Sequence, residues 1–126
     1  MKKLTKKDVL KETIKHIDIK KIDSTAIIDS MRGMSFVSRE TASAADIFMR
    51  MLKDKKCSII LTIAGSTSAA GCMQVYVDMV KHNMVDAIVA TGATIVDMDF
   101  FEALGFKHYK GNPNADDKQL RELYID

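Results

Sequence analysis

The chain has 126 residues, 47% of them apolar, and its 19 Lys and Arg against 17 Asp and Glu leave a net charge of +2. That length holds one domain or a piece of a larger one, and that composition excludes a disordered chain. Near-neutral charge argues against a general nucleic-acid binder, and no apolar run approaches the roughly 20 residues that span a bilayer.

Basic residues gather at the start: Lys2, Lys3, Lys6, Lys7, Lys11, Lys15, Lys20 and Lys21. Asp8, Glu12 and Asp18 are interleaved with them, which reads as a solvated helix face, with an RNA or phosphate patch as the alternative. No apolar region follows the charged start, so a signal peptide is not expected and the cytoplasm is the expected location. Residues 5–17 predict an amphipathic helix capped by Thr5 and Asp8, with Val9, Leu10 and Ile14 as its stripe. A connector follows over 18–22. Asp23 or Ser24 caps a second helix carrying Ile27, Ile28 and Met31, and Arg32-Gly33-Met34-Ser35 breaks it. Ser38 caps a third, with Ala42, Ala45, Phe48, Met49 and Leu52 at helical spacing and Lys53, Lys55 and Lys56 near its carboxyl end. Residues 1–56 thus form a helical amino-terminal region.

The remainder, 57–126, has a different grammar. Residues 57–64 predict a strand that ends in Gly65-Ser66-Thr67-Ser68-Ala69-Ala70-Gly71. A helix is expected from Thr67 to Lys81, with Met73, Val77 and Val80 on its apolar side and His82-Asn83 as its end. A second strand, Ala87-Ile88-Val89-Ala90, runs into Thr91-Gly92-Ala93-Thr94. Together these form a βαβ unit with two polar turns on one sheet edge, where α/β folds bind ligands. Val96–Leu104 reads as a short helix stopped by Gly105, and a polar loop with the only proline, Pro113, follows. Asp116 or Asp117 caps a last helix with Leu120, Leu123 and Tyr124 on one side. Cys57 and Cys72 read as reduced core residues of a cytosolic protein, and the nine methionines as core filler.

The fold class is α/β, a parallel sheet with flanking helices. Both strands are apolar on both faces, the mark of central strands. Two strands alone leave open edges, so the missing strands are expected on another polypeptide or on a part of the chain absent here. A small stand-alone domain protected by self-association is the alternative.

Gly65 permits unusual backbone angles, while Ser66, Thr67 and Ser68 offer hydroxyls and N–H groups at an expected helix start that favours phosphate. The turn matches neither the Gly-x-Gly-x-x-Gly fingerprint nor a Walker loop, and ordinary strand–helix turns use the same residues. Behind the second turn, Asp97, Asp99 and Glu102 read as partners for a cation, as acid and base, or simply as favourable first-turn charges. His16, His82 and His108 are scattered, with no metal-ligand spacing and no nucleophilic triad.

Lys81-His82-Asn83-Met84-Val85-Asp86-Ala87-Ile88-Val89-Ala90-Thr91-Gly92-Ala93 resembles the deoxyhypusine synthase family, in which a similar His-Asn-Met-Val-Asp stretch enters a strand and a Thr-Ala-Gly-Gly turn. Leu61–Gly71 matches that family's strand and nucleotide turn in position, and Ser38–Leu52 its preceding helix. The resemblance runs from about residue 26 onward, is most specific over 57–105, and marks the chain as an amino-terminal part. It implies a Rossmann-like NAD-binding fold in a homotetramer. It also implies NAD-dependent oxidation of spermidine, with an aminobutyl group carried on an enzyme lysine and passed to a translation-factor lysine or another amine.

Carried over by position, Gly65, Ser66, Thr67, Ser68, Ala69, Thr91, Gly92 and Ala93 would line NAD, and Asp97 falls where a family glutamate serves cofactor and polyamine. Ala64-Gly65-Ser66 replaces the usual Thr-Ser-Asn, and Val96-Asp97 replaces paired glutamates, which points to a divergent branch with an open choice of acceptor. The imine-forming lysine belongs to the family's carboxyl-terminal half, so no residue here takes a catalytic role. The leading expectation is an aminobutyl transferase portion inactive without that half. A non-catalytic nucleotide-binding or regulatory subunit paired with a full-length relative is the alternative, and a truncation product without independent function is the plainer one.

Overall fold

The structure, a computed structural model, describes residues 4–125. Lys2 and Lys3 of the basic run lie outside them.

Thr5 and Asp8 open α1 (Lys6–Val9) as expected, the Asp8 carboxylate accepting from the Thr5 amide at 3.0 Å and from its hydroxyl at 2.6 Å. The helix predicted to reach residue 17 stops after one turn. Tertiary partners take the backbone groups it would need. The Ile14 amide donates to the His108 carbonyl at 2.9 Å, the Lys110 amide to the Glu12 carbonyl at 2.8 Å, and Thr13 forms an antiparallel bridge with Tyr109. The Ile17 amide then donates to the Gly71 carbonyl at 2.9 Å.

α2 (Thr25–Arg32) and α3 (Phe36–Lys53) pack on each other, with Ala42 buried on α3. α2 follows Ser24 and ends at Gly33, as expected, whereas α3 begins ahead of Ser38, after Ser35. Arg32 joins the two helices, bonding Asp29 at 3.1 Å and pairing with Asp46. Met34 and Met49 are exposed rather than core filler.

β1 (Ile60–Ile63) and β2 (Ala87–Ala90) form the expected parallel pair, with Ile60 beside Ala87 and Ile63 beside Ala90. β1 is shorter than predicted at its start. There the Asp86 carboxylate accepts the Ile59 amide at 2.7 Å, so a side chain occupies a group the ladder would otherwise use. Cys57 is free and only half-buried, as is Cys72, so neither is the deep core residue expected.

The connection between the strands departs from one continuous helix. Gly71 takes φ 121° within Ser68–Cys72, and α4 (Met73–Lys81) begins only afterwards. α4 ends as expected, with Asn83 at φ 53° in the left-handed region. Its orientation is the larger surprise, because Val77 and Val80 are exposed and the buried residue is Asp78. The amino-terminal segment explains this. Lys20 reaches Asp78 at 2.6 Å, and Gln74 donates to the same oxygen at 3.1 Å, so the polar side of α4 is the one engaged by its own chain.

That pair makes stability depend on pH. The Lys20 ammonium holds the Asp78 carboxyl below its ordinary 3.8, with burial opposing. Asp78 holds the Lys20 amine above its ordinary 10.5. The Asp78 contribution is complete above the unfolded-state value and fades as pH falls through the lower folded-state value, while that of Lys20 fades only as pH rises beyond 10.5. Asp78→Asn should therefore lower the melting temperature at neutral pH and flatten its decline between about pH 5 and pH 2. Thermal melts across that range check it, and an unchanged profile contradicts it.

After β2 the chain turns at once into a helical run: α5 (Gly92–Thr94), a wider-turned stretch over Ile95–Phe100, and α6 (Phe101–Ala103). The run starts before the predicted Val96 and closes at Gly105, φ 95°. Phe101 packs edge-on against Phe100 and Phe106, with ring centres 5.8 and 5.9 Å apart. α7 (Asp117–Glu122) is capped by Asp116, which accepts the Lys118 amide at 2.9 Å. Tyr124 falls beyond it, exposed, rather than on its apolar side.

Residues paired across parallel strands share a face. Leu61, Ile63, Ile88 and Ala90 share one, with Ile63 buried. Ile60, Thr62, Ala87 and Val89 share the other, and all four are exposed, Ile60 by 61% and Val89 by 60%. The sheet is thus covered more on one side than on the other, although Ile88 on the better covered side is still exposed. It is part of an α/β fold, not a whole one.

Candidate functional site

The two polar turns leave β1 and β2 at the same edge and are fastened together there. The Thr94 hydroxyl donates to the Gly65 carbonyl at 2.7 Å, and Thr94 is fully buried. Thr91 Oγ1 lies 3.2 Å from Thr94 Oγ1, and the Thr91 amide continues the ladder to the Ile63 carbonyl at 3.2 Å. Gly65, Thr91, Gly92 and Ala93, expected to share a site, do lie together, joined by a residue outside the expected set.

Within the first turn, the Ser66 carbonyl accepts the Ala70 amide at 2.8 Å and the Thr67 carbonyl the Cys72 amide at 3.0 Å. Thr67 Oγ1 is bonded to the Tyr76 hydroxyl at 2.8 Å. Ser66 and Thr67 are exposed, and Ala69 is half-buried. Ser68 is fully buried, and its hydroxyl has no hydrogen-bond partner. Gly65 takes φ 73°, and a Cβ built on Gly65 or Gly92 would meet nothing within 4 Å. Both glycines therefore bare their backbone to open space, where a ligand can approach it closely. The electrostatics differ from expectation. The break at Gly71 separates Ser66–Ser68 from the start of α4, whereas Gly92 itself begins a helical run, so the positive helix end belongs to the second turn. Asp97 lies one helical turn beyond it, exposed.

A second cluster joins Glu102, one of the carboxylates noted behind the second turn, to two of the scattered histidines, an association without a sequence signal because its members are spread over 92 positions. Glu102 Oε1 is hydrogen-bonded to His16 Nε2, and its Oε2 lies 3.3 Å from His108 Nδ1. These contacts pin residues 12–17 and 107–110 to the helical run after β2. Asp99 Oδ1 is also buried without a partner. Among the described residues no cluster of His, Cys, Asp and Glu is arranged to hold a metal ion. A shallow hollow lined by Asp117, Leu120, Arg121, Tyr124 and Ile125 lies at α7 and contains none of the expected site residues.

This arrangement, two glycine-bearing turns clasped at the carboxyl edge of a parallel pair, coincides with a family match. The deoxyhypusine synthase model matches residues 26–126. The chain belongs to the deoxyhypusine synthase family. It is 65% identical over 121 residues to a deoxyhypusine synthase-like protein of Coxiella burnetii, covering 96% of this chain and 34% of that relative. Deoxyhypusine synthase-like proteins of Caulobacter vibrioides and Chlorobaculum parvum are 62% and 57% identical, with 33% and 35% of their lengths covered. The chain thus spans about a third of these relatives and corresponds to an amino-terminal part of the family. Among the described residues, no helix is long and apolar enough to cross a membrane.

Proposed function

We propose that this chain supplies the nucleotide-binding edge and one amine-site carboxylate of a deoxyhypusine synthase-like, NAD-dependent aminobutyl transferase. Residues equivalent to the relatives' remaining two thirds complete the centre. The observation that carries this reading is the clasp of Thr94 on Gly65, which aligns two open glycine turns at one sheet edge in a chain of this family. Gly65, Ser66, Thr67, Ala69, Thr91, Gly92 and Ala93 form the bed for NAD, and Ser68 supports it from beneath. NAD, when bound, supplies a hydride acceptor. Asp97 sits beside the bed to pair with an ammonium of spermidine or a related polyamine. With Val96 in place of a second carboxylate, this portion neutralises one positive charge fewer than its family pattern and should hold a polyamine less tightly, and the acceptor need not be a lysine of a translation factor but can be another amine. Assembly as a homo-oligomer in the cytoplasm belongs to the same reading.

The test is a chimera carrying these 126 residues in place of the matching third of the Coxiella burnetii relative. It should bind NAD and form NADH when spermidine or another polyamine is added, whereas the 126-residue chain alone should show no turnover. A chimera that binds no NAD, or robust turnover by the chain alone, overturns the proposal.

A further inference from the structure

We infer that the ribbon formed by residues 11–16 and 106–111 presents a lysine-bearing face that binds the phosphate backbone of single-stranded nucleic acid. In a helix reaching residue 17, the lysines of the first segment would be interleaved with carboxylates on one solvated surface. The segment is extended instead, and an extended chain sends successive side chains to opposite sides. The bridge of Thr13 with Tyr109 fixes the register, flanked by the Ile14–His108 and Lys110–Glu12 backbone bonds. Burial follows the alternation. Ile14, His16 and His108 are half-buried on the inner side, whereas Lys11, Lys15, Lys107 and Tyr109 are exposed on the outer side around Thr13.

The same register sets Lys15 opposite Lys107, and like charges facing across a strand pair are destabilising. Among the described residues, neither ammonium has an ion-pair partner within 4.0 Å. Glu12 is engaged by Lys110 at 2.8 Å on the opposite side, and Lys15 exerts only the weakest pull on that carboxyl. Lys11 meets Asp8 only at 3.9 Å, with 69% of its side chain exposed. The net charge of +2 conceals this arrangement, because of the 17 acidic residues only Asp8 and Glu12 fall within residues 1–17 and 106–111. Phosphate is the anion that suits the face. Lysine serves phosphate as a point charge, whereas protein interfaces are depleted in lysine and enriched in arginine, and neither segment contains an arginine. Tyr109, 36% exposed among the lysines, offers a ring on which a base can stack, which favours an unpaired strand over a duplex. The inference is independent of the NAD reading.

The experiment follows the fluorescence anisotropy of labelled oligouridine and oligothymidine of about 12 nucleotides with the full 126-residue chain across a salt series. The chain should bind, its log affinity falling against log salt with a slope of about −2, the value for three phosphates on a single strand. Lys15→Gln with Lys107→Gln should weaken binding about tenfold and bring the slope to about −0.7. Tyr109→Leu should weaken binding without changing the slope, and Tyr109→Phe should bind as the parent does. Removing two facing like charges should leave the melting temperature level or raise it, so that lost binding is not lost folding. No binding by either oligomer, or an unchanged slope in the lysine pair, overturns the inference. So does an equal loss from Lys53→Gln with Lys55→Gln, which removes the same charge near the end of α3. Displacement of the oligomer by polyglutamate or by anionic vesicles at equal charge also overturns it, assigning the face to an acidic protein or a membrane. The tighter of the two oligomers names RNA or DNA as the source.

Discussion

Gly71→Ala should destabilise the chain by about 1–3 kcal/mol, the cost of holding a non-glycine residue in a sparsely allowed conformation. Two independent facts converge there. Gly71 has φ 121°, which side-chain-bearing residues rarely adopt, and a Cβ would stand 3.1 Å from the Lys15 carbonyl oxygen. That oxygen belongs to backbone already fixed by the bond from the Ile17 amide to the Gly71 carbonyl, so it has little freedom to withdraw. The substitution should loosen residues 12–17 and the Ser66–Ser68 turn together. Gly65→Ala is the control. Its φ of 73° is also left-handed, but the Cβ would meet nothing within 4 Å, so the loss should be nearer the ~1 kcal/mol of backbone strain alone. Urea unfolding of both variants decides the matter, and a larger loss for Gly65→Ala contradicts the account.

Thr94→Val should weaken NAD binding by the chimera at least tenfold, while Thr94→Ser should bind nearly as the parent does. Valine keeps the shape of threonine but removes the hydroxyl that reaches the Gly65 carbonyl, in a position fully closed to water. A hydrogen bond of this kind contributes about 1 kcal/mol net, and leaving a buried group unpaired costs about 1–3 kcal/mol. The clasp fixes the spacing of the two turns, so its loss should appear in affinity beyond its effect on folding. Titration calorimetry with NAD separates the two. Equal affinities for the Val and Ser variants would deny the clasp any part in binding.

The parts of the fold legible in the sequence were those governed by local pattern. The βαβ unit followed from two apolar runs ending in glycine turns, and Asn83, Gly105 and Asp116 closed or opened helices as their chemistry dictates. What escaped was set by distant contacts. Val9, Leu10 and Ile14 have helical spacing, yet the His108 and Gly71 carbonyls compete for the backbone amides of that segment. Val77 and Val80 outline an apolar stripe on α4, but Lys20, 58 positions from Asp78, decides which side its own chain engages. The residues proposed for the site were legible through motif and family. Thr94, which fastens the turns, was visible only as the last letter of Thr91-Gly92-Ala93-Thr94, and Glu102 was visible as a carboxylate behind the second turn, but nothing local tied it to His16 and His108.

That cluster has a consequence for how the chain acquires its structure. The His16–Glu102 and Lys110–Glu12 contacts close loops of 86 and 98 residues, whereas α2 with α3, and β1 with β2 through α4, join nearer neighbours. Closing a long loop costs chain entropy before any contact repays it, and non-local pairing slows folding. The helix pair and the βαβ unit should therefore form early, with residues 12–17 settling against 107–110 last. The amino-terminal strap is then a late-forming seal, and its rupture should be among the first events of unfolding.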